Sequence, residues 1–240
     1  MQKVNYASKN RDRISIIVPV LNEAERISSI IQQVISLNPF EYWIVDGGSD
    51  DGTLGLARKH TDRVLQASGG LPAQLNLGGE RSEGDVLFFV HADSRIHEKA
   101  LQSISLSLND PRVAGGGFHL QIDSGRRVIK IISYLANLRA RLLGTPLGDQ
   151  GIFVRKEVFL RLKGFRSSVL LEDLDFSLRM KKHGRVVLLS EPIITSPRKW
   201  ERYGLLRTTL SHLRFVIGHF IHTDPEGLKK RYASFKNRAR

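Results

Sequence analysis

The stretch ISIIVPVLNEAERI, residues 14–27, changes its periodicity half-way. Its first seven residues are a continuous apolar run rich in β-branched side chains, the signature of a strand buried on both faces. The polar LNEAE breaks the run. Asn22 suits a helix N-cap, and Glu25, three residues on, completes a capping box. Apolar residues then recur at helical spacing, at Ile27, Ile30, Ile31, Val34 and Ile35. A buried strand that passes straight into an amphipathic helix is the first half of a βαβ unit.

The pattern repeats outward from there. YWIVD (42–46) reads as a second strand, followed by the turn-rich GGSDDGT and a short helix near 53–60. A short strand at 63–66, a helix over 72–82 and the strand DVLFFVH (85–91) follow. Strands alternating with helices predict an α/β fold centred on a parallel sheet, in which ligands collect at the carboxyl ends of the strands. Three of these strands end in polar clusters: Asn22 with Glu23, then Asp46, then His91 with Asp93. In the second half VAGGGFHLQI (113–122) reads as a strand. RRVIKIISYLANLRARL (126–142) reads as a helix whose bases flank an apolar stripe. After TPLGDQG come the strand IFVRK and a helix over 156–162. EDLDFSLRMKKHG (172–184) is a helix with acids in its first turn, bases in its last and Gly184 as terminator. With no repeat and no linker, residues 1–240 read as one domain.

Composition narrows the function classes. The chain is 41% hydrophobic and 25% charged, ordinary values for a globular protein, and no apolar run approaches the ~18–20 residues of a membrane-spanning helix. The polar, basic MQKVNYASKNRDR carries no apolar segment of a secretory leader, so a cytoplasmic location is expected. The absence of cysteine excludes disulfides and thiolate metal sites. The formal net charge is +13, and residues 198–240 hold eleven Lys and Arg against three acids. Such a field draws polyanions. The tail has neither aromatic interleaving nor a recognition motif for nucleic acid, so nucleic acid is not the expected partner. An anionic membrane surface is a second partner class. LLRTTLSHLRFVIGHFIH (205–222) and the helix over 126–142 are both basic and amphipathic, as interfacial helices at the inner face of a cell membrane are. Packing of the same helices on the domain, or in a homodimer, would account for them equally.

The ordered set IIVPVLNEAERI, IVDGGSDDGT, GDVLFFVHADS, GDQGIFVRK and GF…LLEDLDFSLRMKKHGRV resembles the family 2 glycosyltransferases over residues 14–200. It is most like their small bacterial members associated with radical-SAM and selenium-related gene neighbourhoods. The resemblance implies the GT-A fold, Rossmann-like, with a mixed, mainly parallel sheet flanked by helices. Residues 14–110 would form a nucleotide-sugar half, 111–200 an acceptor and catalytic half, and 201–240 a basic helical tail. It implies a nucleotide-diphosphate sugar donor, a UDP-sugar first, a divalent cation (Mn²⁺ or Mg²⁺), a hydroxyl acceptor, and inversion at the anomeric carbon; a lipid-linked acceptor would suit attachment to a membrane.

Carried over residue by residue, the resemblance sets Asp46 beside the nucleobase, with Pro19, Asn22 and Glu23 lining the same pocket. An Asx turn through Gly47 and Gly48 is the competing account of Asp46. His91-Ala92-Asp93 stands in the place of the family's paired-acid motif, with Asp93 as the metal-binding acid. His91 would meet the metal or the nucleotide, or pack at the strand end. Asp50 and Asp51, just before a helix, read as structural. Gln74 and Asn76 fall in the segment crossing the donor, where relatives commonly carry a base in place of Leu71. Arg81, Arg95 and Arg198 are the candidates to replace it at the diphosphate. Gly116 and Gly117, with Asp149 and Gln150, are the acceptor-side residues, glycine permitting close approach of a sugar. Asp173 is the general base that takes the acceptor proton, supported by Glu172. Complementing the helix N-terminus would also explain both acids. SPRKWERYG (196–204) keeps Arg198 and Trp200 of the processive relatives' Q-x-x-R-W element but lacks its glutamine, so long polymer synthesis is not expected. A nucleotidyltransferase would need a glycine-rich basic loop where the acidic LNEAER stands. The remaining alternative is a non-catalytic nucleotide- or polyanion-binding protein of the same fold.

Overall fold

A computed structural model describes residues 13–167 and 171–197. The chain runs β1 (Ile14–Val20), α1 (Ile27–Ser36), β2 (Glu41–Asp46), α2 (Thr53–His60), β3 (Val64–Gln66), α3 (Leu71–Arg81) and β4 (Val86–Phe89). It continues through β5 (Ser94–Ile96), α4 (Ala100–Leu108), β6 (Val113–Ile122) and α5 (Arg127–Leu143). A 3₁₀ turn at Gly148–Gln150 leads to β7 (Ile152–Arg155), α6 (Lys156–Arg161), α7 (Glu172–Met180) and β8 (Arg185–Thr195).

The eight strands form one sheet in the order β3-β2-β1-β4-β7-β6-β8-β5. β3, β2, β1 and β4 are mutually parallel, β7 is antiparallel to both its neighbours, and β6 and β8 are parallel. This is the expected α/β fold with a mixed, largely parallel sheet. Helices cover both faces, which is why every residue of β1 is buried. Ile14, Ile16, Val18 and Val20 pack toward α1 and α4, whereas Ile17 joins Val45, Leu87 and Phe89 on the face covered by α3, α6 and α7. There the rings of Phe165 and Phe176 stack at 4.2 Å, and Phe89 meets Phe165 edge-on at 5.1 Å.

Register fixes where ligands can gather. Val20 pairs with Asp46, and Asp46 with Gln66, so three strand ends are level. β4 pairs Phe89 with Ile17, and the chain leaving it carries His91 and Asp93 out over the same edge. Because β7 is antiparallel, its first residue, Ile152, sits opposite Phe89. The turn that precedes β7 is thereby placed at that edge too.

Candidate functional site

The loops after β1 and β2 are sewn together by short polar side chains. Asn22 has a positive φ of 55° and does not cap a helix: α1 begins only at Ile27, with no side-chain cap. Its Oδ1 instead accepts the Asp50 N–H at 3.0 Å, and its own N–H donates to Ser49 Oγ at 3.0 Å. Glu23 N–H donates to Thr53 Oγ1 at 2.8 Å, and Ala24 N–H to Asp51 Oδ2 at 3.0 Å. The bonds to Asp51, that of the Thr53 hydroxyl foremost, hold its carboxyl below the ordinary carboxylate range. The capping-box expectation therefore fails because these groups have closer partners across the gap between the two loops.

Asp46 is fully buried at the end of β2. Its Oδ2 accepts the N–H groups of Gly48 and Ser49 at 2.9 and 3.0 Å, and Oδ1 accepts Ser49 Oγ at 2.5 Å. The Asx turn is thus formed, with Oδ1 keeping a lone pair. Pro19 lies one residue inside the β1 end, opposite Val45. Gln74 and Asn76 face the protein rather than a ligand. Gln74 Nε2 donates to the carbonyls of Val20 and Val45 at 2.9 and 2.7 Å, tying β1 to β2 where both end. Asn76 clasps the Phe165 backbone through both of its amide atoms. Amide side chains on a helix that crosses strand ends meet unpaired carbonyls first, which the residue pattern alone does not reveal.

The acceptor-side expectations divide. Gly116 lies inside the sheet between β7 and β8, where an added Cβ would stand 2.2 Å from the Val187 carbonyl. Gly117 faces Pro146. The missing side chain makes room for strand β8 at Gly116 and for the turn residue Pro146 at Gly117. Gln150 is fully buried: its Oε1 accepts Arg139 Nη2 at 3.1 Å and Leu147 N–H at 3.2 Å, and its Nε2 donates to Phe118 O and Asn137 Oδ1. It is the anchor of the turn. Asp149, half-buried beside it, adds to the charge felt by Arg139.

Asp173 occupies the first turn of α7. Its Oδ2 accepts the Gly148 N–H at 2.8 Å and its Oδ1 the Leu174 N–H at 2.7 Å, so two backbone donors fix the carboxylate plane. Glu172 is half-buried next to it. A Cβ on Gly148 would lie 2.5 Å from His91 Nε2 and 3.5 Å from Asp173 Oδ2. His91 and Asp173, from before and after the turn, therefore meet across one glycine. Among the described residues the side chains of His91 and Asp93 have no hydrogen-bond or ion-pair partner, whereas Asp46, Asp51, Asp110 and Asp175 are each bonded through both carboxylate oxygens. Ala92 and Asp93 line a cleft of about 360 Å³ that Arg26, Ser94, Arg95 and Thr195 also border. No group of three or more His, Asp or Glu able to hold a metal occurs among the described residues. The partnerless Asp93 stands alone among the cleft-lining carboxylates in this respect, with His91 two residues before it.

The profile of glycosyl transferase family 2 matches residues 15–160. The chain belongs to this family. Among its curated relatives, AglE of Haloferax volcanii is 33% identical over 100 residues, covering 37% of this chain and 33% of AglE. The poly(ribitol-phosphate) beta-N-acetylglucosaminyltransferase TarP of Staphylococcus aureus is 29% identical over 171 residues, 66% of this chain and 50% of TarP. The chain thus spans a third to a half of these relatives. Among solved structures, the Pyrobaculum calidifontis mannosyltransferase PcManGT, in complex with GDP-Man and Mn²⁺, superposes with a TM-score of 0.69 at 18% identity, over 96% of this chain and 70% of that one. TarS of S. aureus in complex with UDP gives 0.61 at 18% identity, over 94% and 71%. At this identity the likeness establishes the GT-A fold.

In this family 2 chain the diphosphate candidates fare unequally. Arg81 ends α3 at the opposite edge of the sheet, beside Ser82, because α3 runs back against the parallel strands. Arg95 pairs with Asp123 at 2.8 Å at the rim of the cleft. Arg198, like Trp200 and the 205–222 stretch, lies outside the described residues. Sequence reasoning missed Arg139 and Gly148. Arg139 projects from the protein side of α5 toward the turn. Burial lowers its pKa, while Asp149 and Asp173 raise it, and its Nη1 is buried without a partner. Arg139 flanks the buried face of Ile129, Ser133, Asn137 and Ala140, and no pattern in the sequence separates it from the other bases of α5.

Proposed function

We propose that this chain transfers a sugar from a nucleotide-diphosphate donor, a UDP-sugar first, to an acceptor hydroxyl with inversion at the anomeric carbon. The observation that carries this reading is the meeting of Asp173 and His91 across Gly148, beside the partnerless Asp93, at the edge where the parallel strands end. Residues 14–110 serve the donor. Asp46 Oδ1 offers its lone pair to a nucleobase ring N–H, with Pro19, Asn22 and Glu23 around it. Residues 111–200 serve the acceptor through Asp149 and the Gly148 turn.

Asp173 is the general base. It takes the proton of the acceptor hydroxyl as that oxygen bonds the anomeric carbon, and the bond from that carbon to the diphosphate breaks on the opposite face. Backbone donors on both carboxylate oxygens hold it in one orientation, which reduces the reorganisation needed at the moment of transfer. Glu172 supports that position. A divalent ion, Mn²⁺ or Mg²⁺, held by Asp93 and by the donor's own phosphate oxygens, would neutralise charge on the leaving diphosphate. His91 lies against Gly148, two residues from Asp93, and Arg198 is a further candidate for the diphosphate. Solved structures of like fold in complex with GDP-Man and Mn²⁺ or with UDP support the donor class. The finer kinship with radical-SAM and selenium-associated members, the lipid-linked acceptor, the homodimer and the attachment to an anionic membrane surface at the inner face of the cell membrane belong to the same proposal.

Slow donor hydrolysis tests it. Wild-type chain should release UDP or GDP from at least one nucleotide-sugar in a Mn²⁺-containing screen. Asp173→Asn should slow release at least a hundredfold while UDP binding persists, and Asp93→Ala should abolish the metal dependence of UDP binding in calorimetry. Equal hydrolysis by all three proteins would remove both assignments. UDP binding without hydrolysis of any donor would favour the non-catalytic alternative.

A further inference from the structure

The residues of α5 are amphipathic twice over. One face, with Ile129, Ser133, Asn137 and Ala140, is buried against the sheet. The opposite face carries Val128, Ile131, Leu135, Leu138 and Leu142, spaced alternately by three and four residues and therefore aligned in one stripe. All are exposed, Leu142 to 72% and Ile131 to 56%. Seven of the twelve exposed large apolar side chains among the described residues lie on this one helix, whereas the others are scattered singly. A contiguous apolar surface of this kind marks a docking face.

Charge selects the occupant. Arg126, Arg127, Lys130 and Arg141 are exposed along the same helix, and the segment from 124 to 148 contains no acid. A second copy of the chain would bring these bases against their own counterparts with no carboxylate between them, which disfavours helix pairing. The stretch 205–222 is basic as well and offers no opposite charge. Anionic headgroups complement the bases while the acyl boundary receives the stripe. No described helix is long and apolar enough to cross a membrane, and the exposed bases of α5 lie along one flank of its apolar stripe.

We propose that the outward face of α5 docks this chain on an anionic lipid bilayer, with the helix axis in the plane of the membrane. This rests on the membrane partner in the reading above and specifies the element that makes the contact. It is independent of the sugar chemistry, so vesicle binding and donor hydrolysis fail separately. The docked helix ends at Leu143, and Gly144, with φ of 61°, turns the chain toward Gly148 and Asp173. The acceptor side of the site is thereby the side held nearest the lipid.

The chain has no cysteine, which allows a single reporter. Leu135→Cys, labelled with a polarity-sensitive dye, should shift its emission to the blue on vesicles of phosphatidylcholine with one-third phosphatidylglycerol, and not on phosphatidylcholine alone. The same label at Leu106→Cys on α4 should not respond. In co-sedimentation, Leu135→Ser/Leu142→Ser should reduce partitioning about tenfold or more, and added salt should release the wild type, with UDP binding by the variant unchanged. Undiminished pelleting of the double variant would overturn the proposal, as would binding indifferent to headgroup charge. Blue emission in buffer alone would also overturn it. Emission that rises with protein concentration would assign the face to a second copy, and emission that does not would assign it to the chain's own covering.

Discussion

Gly148 donates its backbone N–H to Asp173 Oδ2 at 2.8 Å while the position of its missing side chain lies 2.5 Å from His91 Nε2. One residue thus sets the distance between the acid of α7 and the imidazole that follows β4. Gly148→Ala needs no unusual backbone angle, since its φ is not among the positive ones. It should leave thermal stability within a few degrees of wild type and lower donor turnover at least tenfold by displacing the His91 ring. Equal turnover with an intact fold would show that the site tolerates a wider gap.

Arg139 is the cation that faces Asp149 and Asp173 from inside. Arg139→Gln should reduce kcat by roughly tenfold, about 1.4 kcal/mol, with donor KM changed less than threefold. Arg139→Lys should recover part of the loss. A fall in KM alone, or no rescue by lysine, would mean that the residue acts only through the folding of the turn.

Gln74 bridges two buried carbonyls, so its removal should register as stability and not as donor affinity. Gln74→Leu leaves both acceptors unpaired and should cost about 2–4 kcal/mol in urea unfolding, with UDP affinity of the folded protein unchanged. A weakened UDP affinity without a stability loss would return Gln74 to the donor site.

Asp110 accepts a two-pronged bond from Arg112 and a further bond from Arg185 at 3.1 Å, and its pKa falls to about 2, the Arg112 hydrogen bond being the first cause. A carboxyl whose folded pKa lies below its unfolded value stabilises the fold above the unfolded value, near 4. That contribution is lost as the pH falls through about 2. Asp110→Asn should therefore lower Tm modestly at neutral pH, and the two Tm curves should converge between pH 4 and 2. A gap that persists at pH 2 would assign the effect to packing.

The chain's periodicity revealed most of its elements because apolar patterning and burial express the same force. β1, α2 and β6 begin and end where the sequence predicts. The three polar strand ends fall at one edge because parallel strands have no other way to align. Less legible was the competition among polar groups. Asn22, Gln74, Asn76 and Gln150 were each expected at an end or a ligand, yet each bonds a backbone group that only the assembled fold brings near. Nor does the sequence disclose that Gly116 serves strand packing or that Gly148 separates two distant side chains. Such contacts depend on distances across the sheet, and a linear pattern carries no information about them.

The segment that leaves β4 with Asp93 does not return to its neighbour. It crosses to the far margin of the sheet, where Ser94 pairs with Thr195 at the end of β8. Asp93 is thus tethered on one side by a strand made early in synthesis and on the other by the last described strand. A ribosome-bound chain that has not yet released β8 would hold the nucleotide end of the sheet but leave this carboxylate without its second tether. The position of Asp93 would then be set late, as the closing strand is laid down.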